Sequence, residues 1–196
     1  MDGYAELKKA IALKFKRDNN LSYALDQIVV STGAKQSLAN LAQVLLNPGD
    51  EVILPAPYWV SYADIAKVSG GVPVEIKTSI ETDFKITPED LQKAITPKTK
   101  MMIYSSPCNP SGSVYSKEEL RALADVLLDY PEIIIVSDEI YEHINFSGSH
   151  FSMAQFEDMY ERTVTVNGVS KAFSMTGWRI GYIGGPSYIA RACNKM

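Results

Sequence analysis

Short runs of β-branched and other apolar residues alternate with helical patterns along the whole chain, and this alternation restricts the fold most strongly. After "QIVVS", for example, Leu38, Leu41 and Leu45 recur at the spacing of one helix face. The pattern predicts a three-layer α/β/α domain with a mostly parallel sheet of about seven strands. The predicted strands are "QIVVS" (27–31), "EVILP" (51–55), "VPVEI" (72–76), "KMMIYS" (100–105), "IIIVSD" (133–138), "RTVTVNG" (162–168) and "RIGYIGG" (179–185).

One connection in this pattern is too short for a parallel crossover. Only the residues 167–178, without a helical pattern, separate "TVTV" from "RIGYIGG". A parallel crossover usually needs a dozen or more residues and a helix, so these two strands are predicted to be antiparallel. The sequence has no internal repeat or linker, and residues 1–196 are therefore expected to form one domain.

The charge and composition exclude several classes of partner. A net charge of −4, without tracts of Lys or Arg, argues against nucleic-acid binding. No run of eighteen apolar residues is present, so no membrane span is expected. The first twenty residues are typical of an amphipathic helix with Leu7, Ile11 and Phe15 on one face, and they lack the features of a secretory signal. Two cysteines are too few for a disulfide scaffold, and a reducing, cytoplasmic location is expected.

Polar and aromatic residues follow five of the predicted strands. In a doubly wound sheet, ligands bind beyond the carboxyl ends of the strands, so these residues are expected to meet at one edge of the sheet. They lie in the segments "TGAKQ" (32–36), "APYW" (56–59), "SPCNPSG" (106–112), "DEIY" (138–141) and "NGVSK" (167–171).

Each of these segments also has an ordinary structural interpretation. "TGAKQ" is typical of any strand-to-helix turn, although its helix start also suits an anion such as phosphate. Asp138 suits a helix cap or a structural salt bridge, and Trp59 suits a hydrophobic core. Asn109 begins the turn "NPSG" and can bond to its own backbone.

Other familiar catalytic sets are missing from the sequence. His143 and His150 have no metal-like spacing with cysteines or acids, and both are interpreted as structural, so no metal site is predicted. No Ser–His–Asp set is evident, and no full GxGxxG motif follows a strand. The sequence therefore argues against a hydrolase triad and against dinucleotide binding.

The segment "VSKAFSMTGWRIG" (169–181) places two cations, Lys171 and Arg179, eight residues apart in an apolar setting. Burial and a neighbouring cation both lower the pKa of a lysine, and a neutral lysine is a nucleophile toward carbonyls. Arginine binds phosphate through two parallel hydrogen bonds. A lysine for an aldehyde, an arginine for a phosphate, Asp138 for a ring nitrogen and Trp59 for a ring face together point to pyridoxal 5′-phosphate.

These motifs resemble the class I and II aminotransferases, which are fold type I pyridoxal-phosphate enzymes. "GVSKAFSMTGWRIG" is similar to the family's cofactor-attachment motif, with a glycine three residues before the lysine and an arginine eight after it. "TGAKQ", "PYWVSY", "NPSG" and "SDEIY" occur in the family's order and spacing. The resemblance covers essentially the whole chain and is greatest to bacterial aspartate aminotransferases.

The resemblance implies a role for each site residue. Lys171 is expected to bind the cofactor covalently and to carry the substrate proton. Asp138 is expected to keep the pyridine nitrogen protonated, while Tyr141 and Asn109 bond the ring's phenolic oxygen. Trp59 is expected to stack on the ring, and Trp59 and Asn109 also approach the substrate. The residues expected around the phosphate are Gly33, Ala34, Lys35, Ser170 and Arg179.

The resemblance further implies amino transfer from an amino acid, aspartate in particular, to a 2-oxo acid such as 2-oxoglutarate. Two alternatives are a lyase or synthase of the same fold type, and the pyridoxal-phosphate-sensing domain of a transcription regulator. The chain is expected to be the large, cofactor-binding domain of a longer homodimeric protein, without the N-terminal segment and small domain of its relatives, and to be inactive alone. The bonds Asn109–Pro110 and Ala56–Pro57 are predicted to be cis.

Overall fold

The computed structural model describes residues 3–146 and 148–196. Within these residues, all of the predicted strands form. The strands are β1 Ile28–Ser31, β2 Glu51–Ala56, β3 Val72–Lys77, β4 Thr99–Ser105, β5 Ile134–Asp138, β6 Thr163–Gly168 and β7 Gly181–Gly184. The α-helices are α1 Ala5–Asn19, α2 Ala34–Leu45, α3 Ser61–Val68, α4 Pro88–Ala94, α5 Lys117–Leu128, α6 Glu157–Tyr160 and α7 Ser187–Cys193.

The strands form one sheet in the order β1-β7-β6-β5-β4-β2-β3. Neighbours from β6 through β5, β4 and β2 to β3 run parallel. Strand β7 runs antiparallel to both β6 and β1. The prediction of a mostly parallel sheet with one antiparallel strand is confirmed, and so is the antiparallel pairing of β6 with β7.

Helices cover both faces of the sheet because successive residues of a strand point to opposite sides. Val136 belongs to the core under α2, α3 and α7, where it packs in one cluster with Leu38 and Tyr62. Its neighbour Ile135 belongs to the opposite core, with Leu120 of α5. Strand β5 is therefore buried on both faces, which explains its uninterrupted apolar sequence.

The helix α1 packs against the edge of the sheet formed by β1 and β7. Ile11 and Phe15, from the predicted apolar face, are buried in a third cluster with Tyr23, Ile28 and Tyr182. Leu7 is only partly buried against this cluster. Helix α1 therefore lies beside the end of the sheet that contains β1 and β7.

Helix α5 begins with a capping box, in which the Ser116 hydroxyl accepts from the backbone N–H of Glu119 at 3.1 Å. The bonds Ala56–Pro57 and Asn109–Pro110 are cis, as predicted, and Ser106–Pro107 is a further cis bond that was not predicted. Among the described residues, no helix has the length and apolar character needed to cross a membrane.

Candidate active site

A cavity of about 190 Å³ lies where β1, β2, β4, β5 and β6 end. Its lining includes nine residues that the sequence analysis assigns to the cofactor: Ala34, Lys35, Trp59, Asn109, Asp138, Tyr141, Ser170, Lys171 and Arg179. Ile140 and Thr176 also line the cavity, and neither was predicted. Because parallel strands bring their carboxyl ends to one edge, segments far apart in the sequence meet there.

Asp138, the last residue of β5, places a buried carboxylate at the cavity. The residue is 4% exposed. Its Oδ2 accepts a hydrogen bond from the Tyr62 hydroxyl at 2.6 Å, and its Oδ1 accepts one from the Ile140 backbone N–H at 3.2 Å. Burial raises the pKa of Asp138 to about 6, although both hydrogen bonds act in the opposite direction. Neither of these donors is a cation, so the carboxylate is suited to meet a protonated ring nitrogen.

Tyr62 is a site-supporting residue that the sequence analysis did not identify. It is almost fully buried in the first turn of α3, and its ring meets the Trp59 ring edge-on at a centroid distance of 5.7 Å. Tyr62 therefore contacts two groups that face the cavity, Trp59 and Asp138. Tyr62 is the last residue of the segment "PYWVSY", and its place in that segment was an available clue.

Lys171 and Tyr141 lie side by side in the cavity lining. The Lys171 Nζ is 5.6 Å from the centroid of the Tyr141 ring. Lys171 is exposed. Residues 169–180 form turns outside the sheet, and the large apolar side chains Phe173 and Trp178 of this segment point into solvent.

Arg179 lies against the start of α2. Its Nη2 donates to the Thr32 carbonyl at 3.3 Å and its Nη1 to the Thr176 carbonyl at 2.9 Å, which hold the guanidinium in place. Gly33, at φ +90°, gives room for this contact, because a Cβ there would lie 2.2 Å from the Arg179 Nη2. A guanidinium beside the N-terminus of a helix is a site for an anion such as phosphate.

The remaining predicted residues complete the lining. The Lys35 Nζ lies 4.7 Å from the centroid of the Trp59 ring, a cation–π contact. Ser170 is partly buried, and its carbonyl accepts a hydrogen bond from the Thr176 hydroxyl at 3.1 Å. Asn109 lies in the turn that follows β4.

These residues fit pyridoxal phosphate. The cavity combines an amine, a buried carboxylate without a cationic donor, hydroxyl and amide groups, and an arginine at a helix start. The missing side chain of Gly33 lets the Arg179 guanidinium lie against the start of α2. Each chemical feature of the cofactor thus has a matching group in one small space.

The chain matches the model of the family "Aminotransferase class I and II" over residues 1–196. It is 56% identical to the aspartate/prephenate aminotransferase of Nitrosomonas europaea over 99% of this chain and 49% of that protein. It is 53% identical to the aspartate aminotransferase of Bacillus subtilis over 99% of this chain and 50% of that protein. The chain therefore spans about half the length of these curated relatives.

Solved structures agree in fold. The crystal structure of the aspartate aminotransferase from Rhizobium meliloti superposes with a TM-score of 0.96 at 50% identity, over 98% of this chain and 48% of that one. The aspartate aminotransferase from Thermus thermophilus with maleate gives a TM-score of 0.95 at 48% identity, over 99% of this chain and 50% of that one. With a family match over its full length and this fold, the chain belongs to the class I and II aminotransferases.

Proposed function

We propose that the chain binds pyridoxal 5′-phosphate at the Lys171 cavity and that the protein containing it transfers an amino group from an amino acid, aspartate first, to a 2-oxo acid such as 2-oxoglutarate. The observation that carries this proposal is the convergence of Lys171, Asp138, Tyr141, Asn109 and Arg179 on one cavity. These residues come from three separate segments of the chain, 106–112, 138–141 and 169–181.

The residues at the two ends of the cavity bind and orient the cofactor. Arg179, Gly33 and the first turn of α2 would receive its phosphate, with Ala34, Lys35 and Ser170 around them. Trp59 would cover one face of the ring. Tyr141 and Asn109 would donate hydrogen bonds to the phenolic oxygen. The geometry that supports this arrangement is the Arg179–Thr32 contact, which fixes the guanidinium at the helix start.

Lys171 and Asp138 would carry the chemistry. Lys171 would hold the cofactor through its amine, which would condense with the cofactor's aldehyde group with loss of water. Once the substrate's amino group had displaced it, the free amine would move the proton at the substrate Cα. Asp138 holds the proton on the ring nitrogen, and Tyr62 keeps its carboxylate oriented. The bound cofactor supplies an electron sink for the electrons released when the Cα proton leaves.

We further propose that residues 1–196 form the cofactor-binding large domain of a longer, homodimeric enzyme. Support comes from the coverage of about half of each relative and from exposed apolar side chains such as Phe146 and Trp178. A cytoplasmic location is part of the proposal, since Cys108 and Cys193 are both free thiols.

Prephenate is a second candidate for the acceptor of the amino group. The Nitrosomonas relative is named for prephenate as well as aspartate, and prephenate is also a 2-oxo acid. In the longer protein, initial rates with aspartate and either 2-oxoglutarate or prephenate would rank the two. Release of ammonia or carbon dioxide in place of a new amino acid would support a lyase instead.

Calorimetric titration of the 196-residue chain tests the cofactor directly. We expect one binding site for pyridoxal phosphate and at least about tenfold weaker binding of pyridoxal, which lacks the phosphate. Arg179→Gln should bring the affinity for pyridoxal phosphate close to that for pyridoxal. Equal affinity of the parent chain for the two compounds, or no binding of either, would contradict the proposal.

A further inference from the structure

We propose that Glu142 is a positioning residue for the cavity: its buried carboxylate joins the loop that carries Tyr141 to the strand end that leads to Lys171, and anchors both to α1. The identity of the cofactor used in the test rests on the proposed function. The sequence analysis gave Glu142 no role, and Glu142 does not line the cavity.

The Glu142 carboxylate, which is 6% exposed, has partners on two different elements, α1 and β6. Its Oε1 accepts a hydrogen bond from the Asn167 side chain at 2.7 Å. Its Oε2 accepts one from the Asn19 side chain, also at 2.7 Å. The ammonium of Lys14 forms an ion pair with the same carboxylate. One buried group thus connects α1, the loop after β5 and the end of β6.

The Asn167 link leads toward Lys171. The Asn167 Oδ1 accepts from the backbone N–H of Gly168 at 2.7 Å, which fixes the last residues of β6. Lys171 follows Gly168 by three residues, on the exposed loop described above. The loop that carries the exposed Lys171 starts from this strand end. The hydrogen bond between Glu142 and Asn167 therefore fixes the backbone at the start of that loop.

The other link leads toward Tyr141. Glu142 follows Tyr141 directly, and its backbone N–H donates to the Glu139 carbonyl at 3.0 Å in the turn after β5. The Tyr141 ring is the one beside the Lys171 Nζ. A shift of the Glu142 carboxylate would therefore move both the ring and the amine, and would change the spacing between them.

The cost of burying this charge suggests that stability alone does not explain it. Replacing a buried ion pair by apolar residues of similar volume is often neutral or stabilising. The other titratable groups nearby are His143, whose Nε2 lies 3.4 Å from both Glu142 and Asp18, and the buried Glu139–His150 pair. The carboxylate, with its fixed geometry, joins elements that an apolar side chain would only pack together.

The test uses the 196-residue chain loaded with pyridoxal phosphate. The readout is the pH midpoint of the visible absorbance of the Lys171-bound cofactor, which depends on the hydrogen bond from Tyr141. Tyr141→Phe should move this midpoint upward, because a donor that favours the deprotonated form is lost. Glu142→Gln should move it upward too, by at least ~0.5 pH unit. The exposed Glu157→Gln is the matched control and should leave the midpoint in place.

The double variant distinguishes positioning from a general loss of stability. If Glu142 acts through Tyr141, then Glu142→Gln in the Tyr141→Phe background should add little further shift. If Glu142→Gln does not fold, Asn167→Ser removes the same link and should raise the midpoint.

Two outcomes would overturn the inference. A visible band in the parent chain with an unmoved midpoint in both Glu142→Gln and Asn167→Ser would show that Glu142 serves stability only. A parent chain without any visible band would overturn the proposed function itself, and the inference with it.

Discussion

Replacing Asp138 with asparagine is expected to stabilise the cofactor-free chain at neutral pH, although the same change should impair the cofactor's chemistry. Burial raises the pKa of Asp138 from its ordinary value of 3.8 to about 6 in the folded chain. A difference of about two pKa units corresponds to about 3 kcal/mol that ionised Asp138 subtracts from the free energy of unfolding. An asparagine carries no charge, and it can keep both contacts: its carbonyl can accept from the Ile140 N–H, and its NH2 can donate to the Tyr62 hydroxyl.

The expected gain depends on pH in a defined way. A raised pKa in the folded state means that the stability is fully present below the unfolded pKa of about 3.8 and is lost as the pH rises through about 6. The free energies of unfolding of parent and Asp138→Asn should therefore agree near pH 3.5. Their difference should grow between pH 4 and 6, and should stay at about 3 kcal/mol above pH 7.

Urea unfolding of the cofactor-free chain at several pH values measures this difference. Asp129→Asn, at an exposed position after α5, is the matched control and should change the free energy of unfolding by less than ~0.5 kcal/mol at each pH. The reasoning is refuted if Asp138→Asn destabilises the chain at pH 7.5, or if its effect does not vary with pH.

Two other substitutions test the supports of the site. Tyr62→Phe removes a hydrogen bond to a charged group, which is worth about 1.5–3 kcal/mol. The change should therefore weaken pyridoxal-phosphate binding at pH 7 by about tenfold or more. An unchanged calorimetric affinity would show that Tyr62 only fills space. Gly33→Ala should lower the thermal midpoint and the phosphate affinity, because its Cβ would meet Arg179. Gly49→Ala is the matched control, since Gly49 has φ +92° with no atom within 4 Å of its Cβ, and equal effects of the two changes would exclude the clash as the cause.

The strands and their directions followed from local features of the sequence. The alternation of apolar runs with helical patterns predicted the seven strands, and the short connection after β6 predicted the antiparallel β7. The rule that ligands bind at the carboxyl ends of parallel strands then brought Asn109, Asp138 and Lys171 to one edge. Because this rule depends only on strand order and direction, it could place these residues at one edge without knowledge of side-chain contacts.

Features that depend on contacts between distant residues were missed. The Tyr62–Asp138 bond joins residues 76 positions apart, and the Asn19–Glu142 bond joins residues 123 apart. The exposure of Lys171 depends on how residues 169–180 leave the sheet, which the composition of this segment does not show. Local sequence patterns carry no information on such tertiary placements.

The central claim is that Lys171 is the residue that binds pyridoxal phosphate covalently. The most direct measurement adds the cofactor to the 196-residue chain, reduces the complex with borohydride and identifies the modified peptide by mass spectrometry. We predict one modified residue, Lys171, and no reducible adduct in Lys171→Ala. Modification of Lys35 in its place, or a reducible adduct that persists in Lys171→Ala, would contradict it.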